Sequence, residues 1–340
     1  MRREALAYLA CPDCGAALDL EPGAESAPDG HVMAGSLRCS GAGCSFPIRD
    51  GVPDLRPRGV EAVKVETSRR FDDEWSHWSE LRDYYERQFL GWVAPLEAAD
   101  FAGQVVFEGG CGKGRHSAIV AGFGPAALVS LDLGRSALIA FEHTRHLANS
   151  HIAMGDLLRP PVRRLFDLAF SVGVIHHLPN PALGFASLAN VVKEGGRVAV
   201  WVYGLENNRW IAHGVGPIRK GVTARLPPGV LRATSAIPAA ALWAAIKLFY
   251  RPRKDGRGPR LPYGDYFASM HGFPFDEIHS IVFDQLVTPV AHYLPGDEVR
   301  RWFARGFADP AVRWHNRYSW TGLGTVKREP DATPLPGLTD

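Results

Sequence analysis

The sequence predicts an α/β protein built on a doubly wound, mainly parallel sheet, with a small N-terminal metal-ribbon module and a helical insertion. Three observations predict it. Between residues 101 and 204 short apolar runs alternate with helical segments, the pattern of parallel strands joined by helical crossovers. The first of these runs, Val105 to Phe107, leads through Glu108 into Gly110, Gly112 and Gly114. That reads as strand, tight turn and helix start, where glycine lets the backbone turn sharply and approach a ligand. Ahead of this domain stand two close cysteine pairs, Cys11 and Cys14 in CPDCG, Cys39 and Cys44 in CSGAGC.

A chain of 340 residues, 46% apolar and 22% charged, suffices for one large α/β domain plus a small module and has the composition of an ordinary globular protein. Its formal charge of +2 is unevenly spread. Between Arg209 and Arg260 eleven Lys/Arg face the single Asp255, a local +10 that leaves about −8 elsewhere, and this asymmetry points to an anionic partner for that segment. The opening MRREALAYLACPDC lacks the apolar core of a signal peptide. The five cysteines are accordingly expected to be reduced or metal-held in a cytoplasmic protein.

The first module, residues 1 to 57, separates its cysteine pairs by a polar, Pro/Gly-rich spacer. This is the layout of a zinc ribbon, in which Cys11, Cys14, Cys39 and Cys44 close a tetrahedral structural site. With so little core, the metal would supply much of the module's folding free energy. LACPDCGAALDL and LRCSGAGCSFPIRDGVPDL resemble the zinc-ribbon family of small methyltransferase-activating proteins. The resemblance implies a scaffolding or substrate-presenting role and no catalytic residue here.

Residues 58 to 100 read as a connecting helix. Phe71, Trp75, Trp78, Leu81, Tyr85, Phe89 and Trp92 recur at steps of three or four, one stripe packed on the main domain. By resemblance to related enzymes, its start, at Arg69, Arg70, Phe71 and Trp75, is expected to close over a ligand.

In the main domain, residues 101 to 328, later runs follow at Ala127 to Leu131, Ile152 to Met154, Asp167 to Val174 and Arg197 to Tyr203. Glu108, Asp132 and Asp156 all fall at carboxyl ends of runs and so along one rim, where such sheets bind ligands. A nicotinamide dinucleotide needs G-x-G-x-x-G, and counting from Gly110 the sixth position is Arg115. E-x-G-x-G-x-G at 108 to 114, Asp132, Gly155 with Asp156, FDLAFSVGVIHHL and KEGGRVAVWVYG together resemble class I S-adenosylmethionine (SAM) dependent methyltransferases. The resemblance implies a Rossmann-like sheet of seven strands. It places Glu108, Gly110 and Gly112 along the methionine part of the cofactor, with Gly114 in the same turn. Asp132 would take the ribose hydroxyls, Asp156 the adenine amino group, and Ser171 and Val172 would border the sulfonium. His176 and His177 are candidate bases for an acceptor that keeps its proton. His116 is a cap or wall residue, and Cys111 a small packed residue.

The insertion, residues 205 to 265, is helical and basic. The charge-free stretch between Arg232 and Lys247 is fourteen residues long and broken by Pro238, too short for a membrane span. The basic run RPRKDGRGPR offers a peripheral membrane patch, a grip on an anionic substrate or a nucleic-acid footprint. Tyr203, Asp284, His292 and Tyr293 are candidate acceptor walls, and the Pro-rich tail from 329 to 340 is expected to be disordered. The first functional reading is a SAM-dependent methyltransferase acting on O, N or C of a small, anionic or lipid-like metabolite by in-line displacement. Two alternatives stand beside it. One is an RNA base methyltransferase with zinc-ribbon RNA contact, although VIHHLPNP stands where many amino-methylating enzymes carry an Asn/Asp-Pro-Pro-Tyr/Phe motif; the other is a SAM-binding regulatory protein without transfer activity.

Overall fold

The computed structural model describes residues 1–254 and 256–327; the predicted disordered tail lies outside them. The N-terminal module holds strands β1 (Leu18–Leu20), β2 (Glu25–Ser26), β3 (Val32–Cys39), β4 (Ser45–Arg49) and β5 (Val52–Pro53), paired antiparallel around β3 and β4. The main sheet comprises β6 (Val105–Gly109), β7 (Ala127–Asp132), β8 (Ser150–Met154), β9 (Phe166–Val172), β10 (Val192–Tyr203), β11 (Phe307–His315) and β12 (Ser319–Val326). Its order is β11-β12-β10-β9-β6-β7-β8, with β12 antiparallel to both its neighbours, β11 and β10, and the remaining pairs parallel. This is the expected doubly wound, seven-stranded sheet. The winding reverses between β6 and β9, so the loops that leave these two strands diverge and open a crevice at their carboxyl ends.

The strands are apolar along their length because helices cover both faces. Phe107 and Val129 pack on one side with Phe185 and Leu188 of α5 (Pro181–Asn190). Their chain neighbours Val106 and Leu128 point to the other side, against Phe89 and Val93 of α2 (Tyr85–Val93) and Val120 of α3 (Arg115–Gly122). The ribbon joins the first of these cores. Leu9, Leu37 and Leu55 share a cluster with Phe107 and Leu131. The Leu55 N–H donates to the Met154 carbonyl (2.9 Å), and the Ala10 N–H to that of Pro161 (2.8 Å), tying the module to the β8 edge.

The connecting segment departs from the single helix expected. It forms α1 (Ala62–His77) and α2, broken over residues 78–84. Lys113 makes the break, because its ammonium donates to the carbonyls of Trp78 (2.6 Å) and Glu80 (3.0 Å), which a continuous helix would have used. Moreover, the buried side chains of α1 are Lys64, Thr67, Arg70 and Glu74, a polar set, while Phe71 and Trp75, its part of the aromatic stripe, are only half-buried. In the insertion, α6 (Gly216–Gly221) precedes α7 (Pro228–Phe249); α8 (Gly264–Ser269) begins at the insertion's end, and α9 (Phe275–Val287) and α10 (Gly296–Trp302) follow. Pro238 does not interrupt α7. The helix runs for 22 residues and is long and apolar enough to cross a membrane by length and composition, which corrects the shorter stretch read from the sequence; 22% of its apolar window is buried. It packs on α9, where the Arg232 guanidinium reaches Asp73 of α1 (3.0 Å) and the His279 ring meets Ser235 (3.0 Å).

Candidate functional site

A cavity of about 850 Å³ opens at the switch point between β6 and β9 and extends beneath α1, α8 and α9. Its strand-end wall is the glycine turn. Gly110 (φ 86°) and Gly112 (φ 50°) are left-handed, the region that favours glycine. A Cβ on Gly110 would run into Val174, and one on Gly112 would lie 2.9 Å from Trp75 Nε1. Asp132 holds the turn: one carboxylate oxygen accepts from the Gly112 N–H (2.8 Å), the other from the Gly134 N–H (2.9 Å) and the Ser136 hydroxyl (3.1 Å). Burial raises its pKa. Val172 and Gly173 line the same wall.

Asp156 faces the cavity already paired. Lys64 of α1 donates to its Oδ2 (2.5 Å) and the Leu158 N–H to its Oδ1 (2.9 Å), both side chains of the ion pair being almost fully buried. Helix α1 therefore straps the crevice, with Lys64 on the third acid, Phe71 edge-on to His177 (centroids 5.0 Å) and Trp75 over the turn. Phe71 and Trp75 thus take the covering position expected of them. Arg69 pairs with Glu66 at the surface (3.0 Å), and the buried Arg70 bonds Glu66 and the Leu226 carbonyl instead of the cavity.

Four expected site residues lie elsewhere. Glu108 is 1% exposed beneath the turn, where its Oε2 accepts from Ser117 (2.5 Å) and Ser130 (2.8 Å); desolvation pushes its carboxyl up to about 7. It braces α3 against β7 and is not among the residues that line the cavity. Gly114 is left-handed at φ 82°, and a Cβ there would sit 2.7 Å from the Ala140 Cα, so it serves packing on α4 (Ser136–Thr144). The Ser171 hydroxyl donates to the Gly109 carbonyl (2.7 Å) and stitches β9 to β6. His176 is fully buried against the Tyr203 ring (centroids 3.9 Å).

His177 does line the cavity. Its Nδ1 lies 2.7 Å from the Val290 carbonyl and so carries the proton, which leaves Nε2 with its lone pair. Burial lowers its pKa and holds the ring neutral. Cys111 is buried, and desolvation raises its thiol far from the reactive range. Among the acceptor-wall candidates, Tyr203 and Asp284 line the cavity and are bonded to each other (2.8 Å). Behind them, Tyr293 donates to Gln285 (2.7 Å), and the His292 N–H donates to the His176 carbonyl (2.8 Å).

Three cavity residues had little signal in the sequence. Lys64 and Glu74 sit on a helix whose visible pattern is aromatic, and Arg115 was notable only as the residue that breaks the dinucleotide spacing. Arg115 opens α3 facing the cavity, stacked on Tyr85 (4.8 Å) and Trp92 (5.4 Å). Glu74 is 1% exposed; Ser280 donates to its Oε1 (2.9 Å), and its Oε2 has no partner among the described residues. Burial, with the nearby Asp284 charge, holds its carboxyl well above the usual range.

In the ribbon the sulfurs of Cys11, Cys14 and Cys39 lie within 4.8 Å of one another, and Cys44 lies within the same distance of Cys11 and Asp13. All four cysteines are free of disulfides.

Residues 107–200 match a methyltransferase domain family, and residues 2–51 match the Trm112p-like protein family. The tRNA U34 carboxymethyltransferase of Aeromonas hydrophila is 28% identical over 148 residues, 42% of this chain and 41% of that protein. That of Sodalis glossinidius is 27% identical over 190 residues, 54% and 53% of the two chains. The chain thus spans about half or less of these relatives. A solved complex of the Haloferax volcanii Trm112 methyltransferase activator with a methyltransferase aligns at TM-score 0.45, with 13% identity over 80% of this chain and 100% of that one. The relatives, named for a tRNA, correct the expectation of a small or lipid-like metabolite as acceptor and main partner. The chain thus carries a class I SAM-dependent methyltransferase domain behind a Trm112p-like module.

Proposed function

We propose that the protein transfers a methyl group from SAM to a base of RNA, with tRNA as the substrate class. The observation that supports the acceptor most directly is the relationship to tRNA U34 carboxymethyltransferases. The cavity fits the chemistry: at about 850 Å³ it is near the top of the range of about 300–1,000 Å³ for ligand sites, room for a donor and an extruded base together. Its aromatic lining of Phe71, Trp75 and Tyr203 suits a stacked base.

When bound, SAM supplies a methyl carbon activated by positive sulfur. In this reading Gly110 and Gly112 leave room for the cofactor backbone, Asp132 accepts from the ribose hydroxyls, and Val172 borders the sulfur. Asp156, already neutralised by Lys64, is the adenine-side candidate, and Arg115 is the cation available to a carboxylate. In-line transfer depends chiefly on orientation and exclusion of water, which the α1 strap provides. His177 Nε2 is the candidate proton acceptor, its tautomer set by Val290. The ribbon residues Cys11, Cys14, Cys39 and Cys44 are proposed to hold one structural zinc, the convergence of sulfurs being the supporting observation.

The test is incubation with methyl-labelled SAM and total tRNA, followed by nucleoside digestion. Label should enter a modified uridine and be lost in His177→Ala; the S-carboxymethyl analogue of the donor runs in parallel. Label that enters no RNA nucleoside from either donor would overturn the reading.

A further inference from the structure

The basic loop after α7 does not simply project into solvent. Between Arg253 and Gly264 it folds back on itself: the Arg253 N–H donates to the Arg257 carbonyl (2.8 Å) and the Gly256 N–H to that of Arg253 (2.9 Å). It then presses on the start of α8 so closely that a Cβ on Gly258 would collide with the Gly264 carbonyl. Asp265 fixes this approach by accepting from the Gly258 N–H (2.9 Å). Beside this fold-back lies a polar hollow of about 310 Å³ lined by Arg253, Arg257, Arg260 and Arg317. Arg317 comes from the tip of the β11–β12 hairpin, whose preceding residues His315 and Asn316 line the main cavity. Arg257 and Asp265 line both spaces, so the hollow adjoins the mouth of the cavity.

We propose that this four-arginine hollow binds a backbone phosphodiester of the RNA whose base enters the adjoining cavity. The inference rests on the RNA reading above and assigns the basic insertion a place in it. Guanidiniums match phosphate oxygens two at a time, and four around one concavity are the arrangement for a phosphate rather than for a diffuse field. Base and phosphate of a nucleotide are joined through one sugar, and the two compartments share walls in the same way. A membrane is the competing partner, since Leu248 and Phe249 at the end of α7 are 74% and 62% exposed. Concavity and continuity with the reaction cavity favour RNA, because a bilayer surface cannot enter a recess.

Filter retention of an anticodon stem-loop RNA with uridine at position 34, measured across a salt series, tests this. The double variant Arg257→Gln/Arg260→Gln, at exposed positions, should bind more weakly and lower the slope of log affinity against log salt by about 0.7, the share of one single-strand phosphate that is no longer neutralised. Arg317→Gln alone should lower it by less than that, because three arginines still face the same phosphate. S-adenosylhomocysteine (SAH) affinity and melting temperature should not change. Removing two exposed arginines elsewhere, Arg301→Gln/Arg305→Gln, should leave the slope at the wild-type value. A wild-type slope in Arg257→Gln/Arg260→Gln, or an equal drop in the control pair, would overturn the phosphate site while leaving the RNA reading standing. Unchanged RNA retention with weakened binding to phosphatidylserine vesicles would assign the arginines to a membrane instead. Wild-type protein that retains no RNA even at low salt would remove the RNA reading and the site with it.

Discussion

The two walls of the cavity are built on different physics. The strand-end wall of Gly110, Gly112, Asp132 and Val172 belongs to strands buried on both faces, and its shape is set by backbone hydrogen bonds and left-handed glycines. The helical wall is made by α1 and α9, and beside Phe71, Trp75 and Ile281 it is lined by a charged or polar set: Lys64, Thr67, Glu74, Glu277, Ser280 and Asp284. It is held by side-chain pairs between elements far apart in the chain. The first wall is therefore expected to respond to changes in backbone geometry, and the second to removal of single charges.

The largest effect expected is on the strap. Lys64 and Asp156 form an ion pair with side chains only 7% and 4% exposed. Lys64→Met leaves the carboxylate buried and uncompensated, which costs about 3–5 kcal/mol. Urea unfolding should show this as a lower midpoint with unchanged slope. Lys64→Met/Asp156→Asn should recover most of it, because an uncharged partner removes the desolvation cost. If Lys64→Met costs under about 1 kcal/mol, far below the range for a broken buried pair, the helical wall is not tied through this pair and the contrast between the walls weakens.

Glu108 tests the other wall at its base. Its folded pKa of about 7 lies above the ordinary 4.5, so the native state holds the proton more tightly than the unfolded chain. The sign follows: its contribution is fully favourable below pH about 4.5 and is lost as pH rises to about 7, a fall of about 3 kcal/mol at about 1.4 per unit. Glu108→Gln keeps the acceptor for Ser117 and Ser130 without titrating. The difference between variant and wild-type stability should therefore grow in the variant's favour across that window. A difference that is flat from pH 4.5 to 7 would show that Glu108 is ionised under the turn.

These contrasts explain what could be read from the residues. The sheet, the glycine turn and the acids at 132 and 156 were legible because strand periodicity and turn chemistry are local properties. Their neighbours Glu108 and Ser171 were placed at the right strand ends but assigned the wrong direction, since the end of a strand does not reveal whether a side chain points into the crevice or beneath it. The α1 helix was misjudged for a different reason. Its aromatic spacing matches a packed stripe, but the buried face is set by polar partners far along the chain, such as Asp156 for Lys64 and Ser280 for Glu74. No local pattern carries such partners. The acceptor was least legible, because the basic loop acquires its shape only when Gly258 meets Gly264 and the hairpin brings Arg317 beside it.

Asp132 gives an intermediate effect that separates ligand binding from stability. Asp132→Asn keeps an oxygen but gives up the charge-assisted acceptors for the Gly112 and Gly134 N–H groups. Hydrogen bonds to a charged group contribute about 1.5–3 kcal/mol, so SAH affinity should fall about 10- to 100-fold in calorimetry. An unchanged affinity would mean that the ribose does not sit on this carboxylate.

The smallest effect expected is the most specific to the helical wall. The Tyr203 hydroxyl donates to Asp284 (2.8 Å) and accepts from the Gln285 amide (2.9 Å). Tyr203→Phe removes both bonds without opening a cavity, at a cost to stability of about 1 kcal/mol. Among the described residues, Asp284 then keeps only the long approach from Gln285 at 3.4 Å, which leaves its carboxylate free to rotate at the cavity wall. If strands position the donor and helices the acceptor, SAH affinity should stay at the wild-type value. The KM for the stem-loop RNA should rise several-fold, because only the acceptor loses a fixed partner. A fall in SAH affinity with RNA kinetics unchanged would place Tyr203 and Asp284 on the donor side, and the division of labour between the two walls would have to be drawn through α9 instead of along the strand ends.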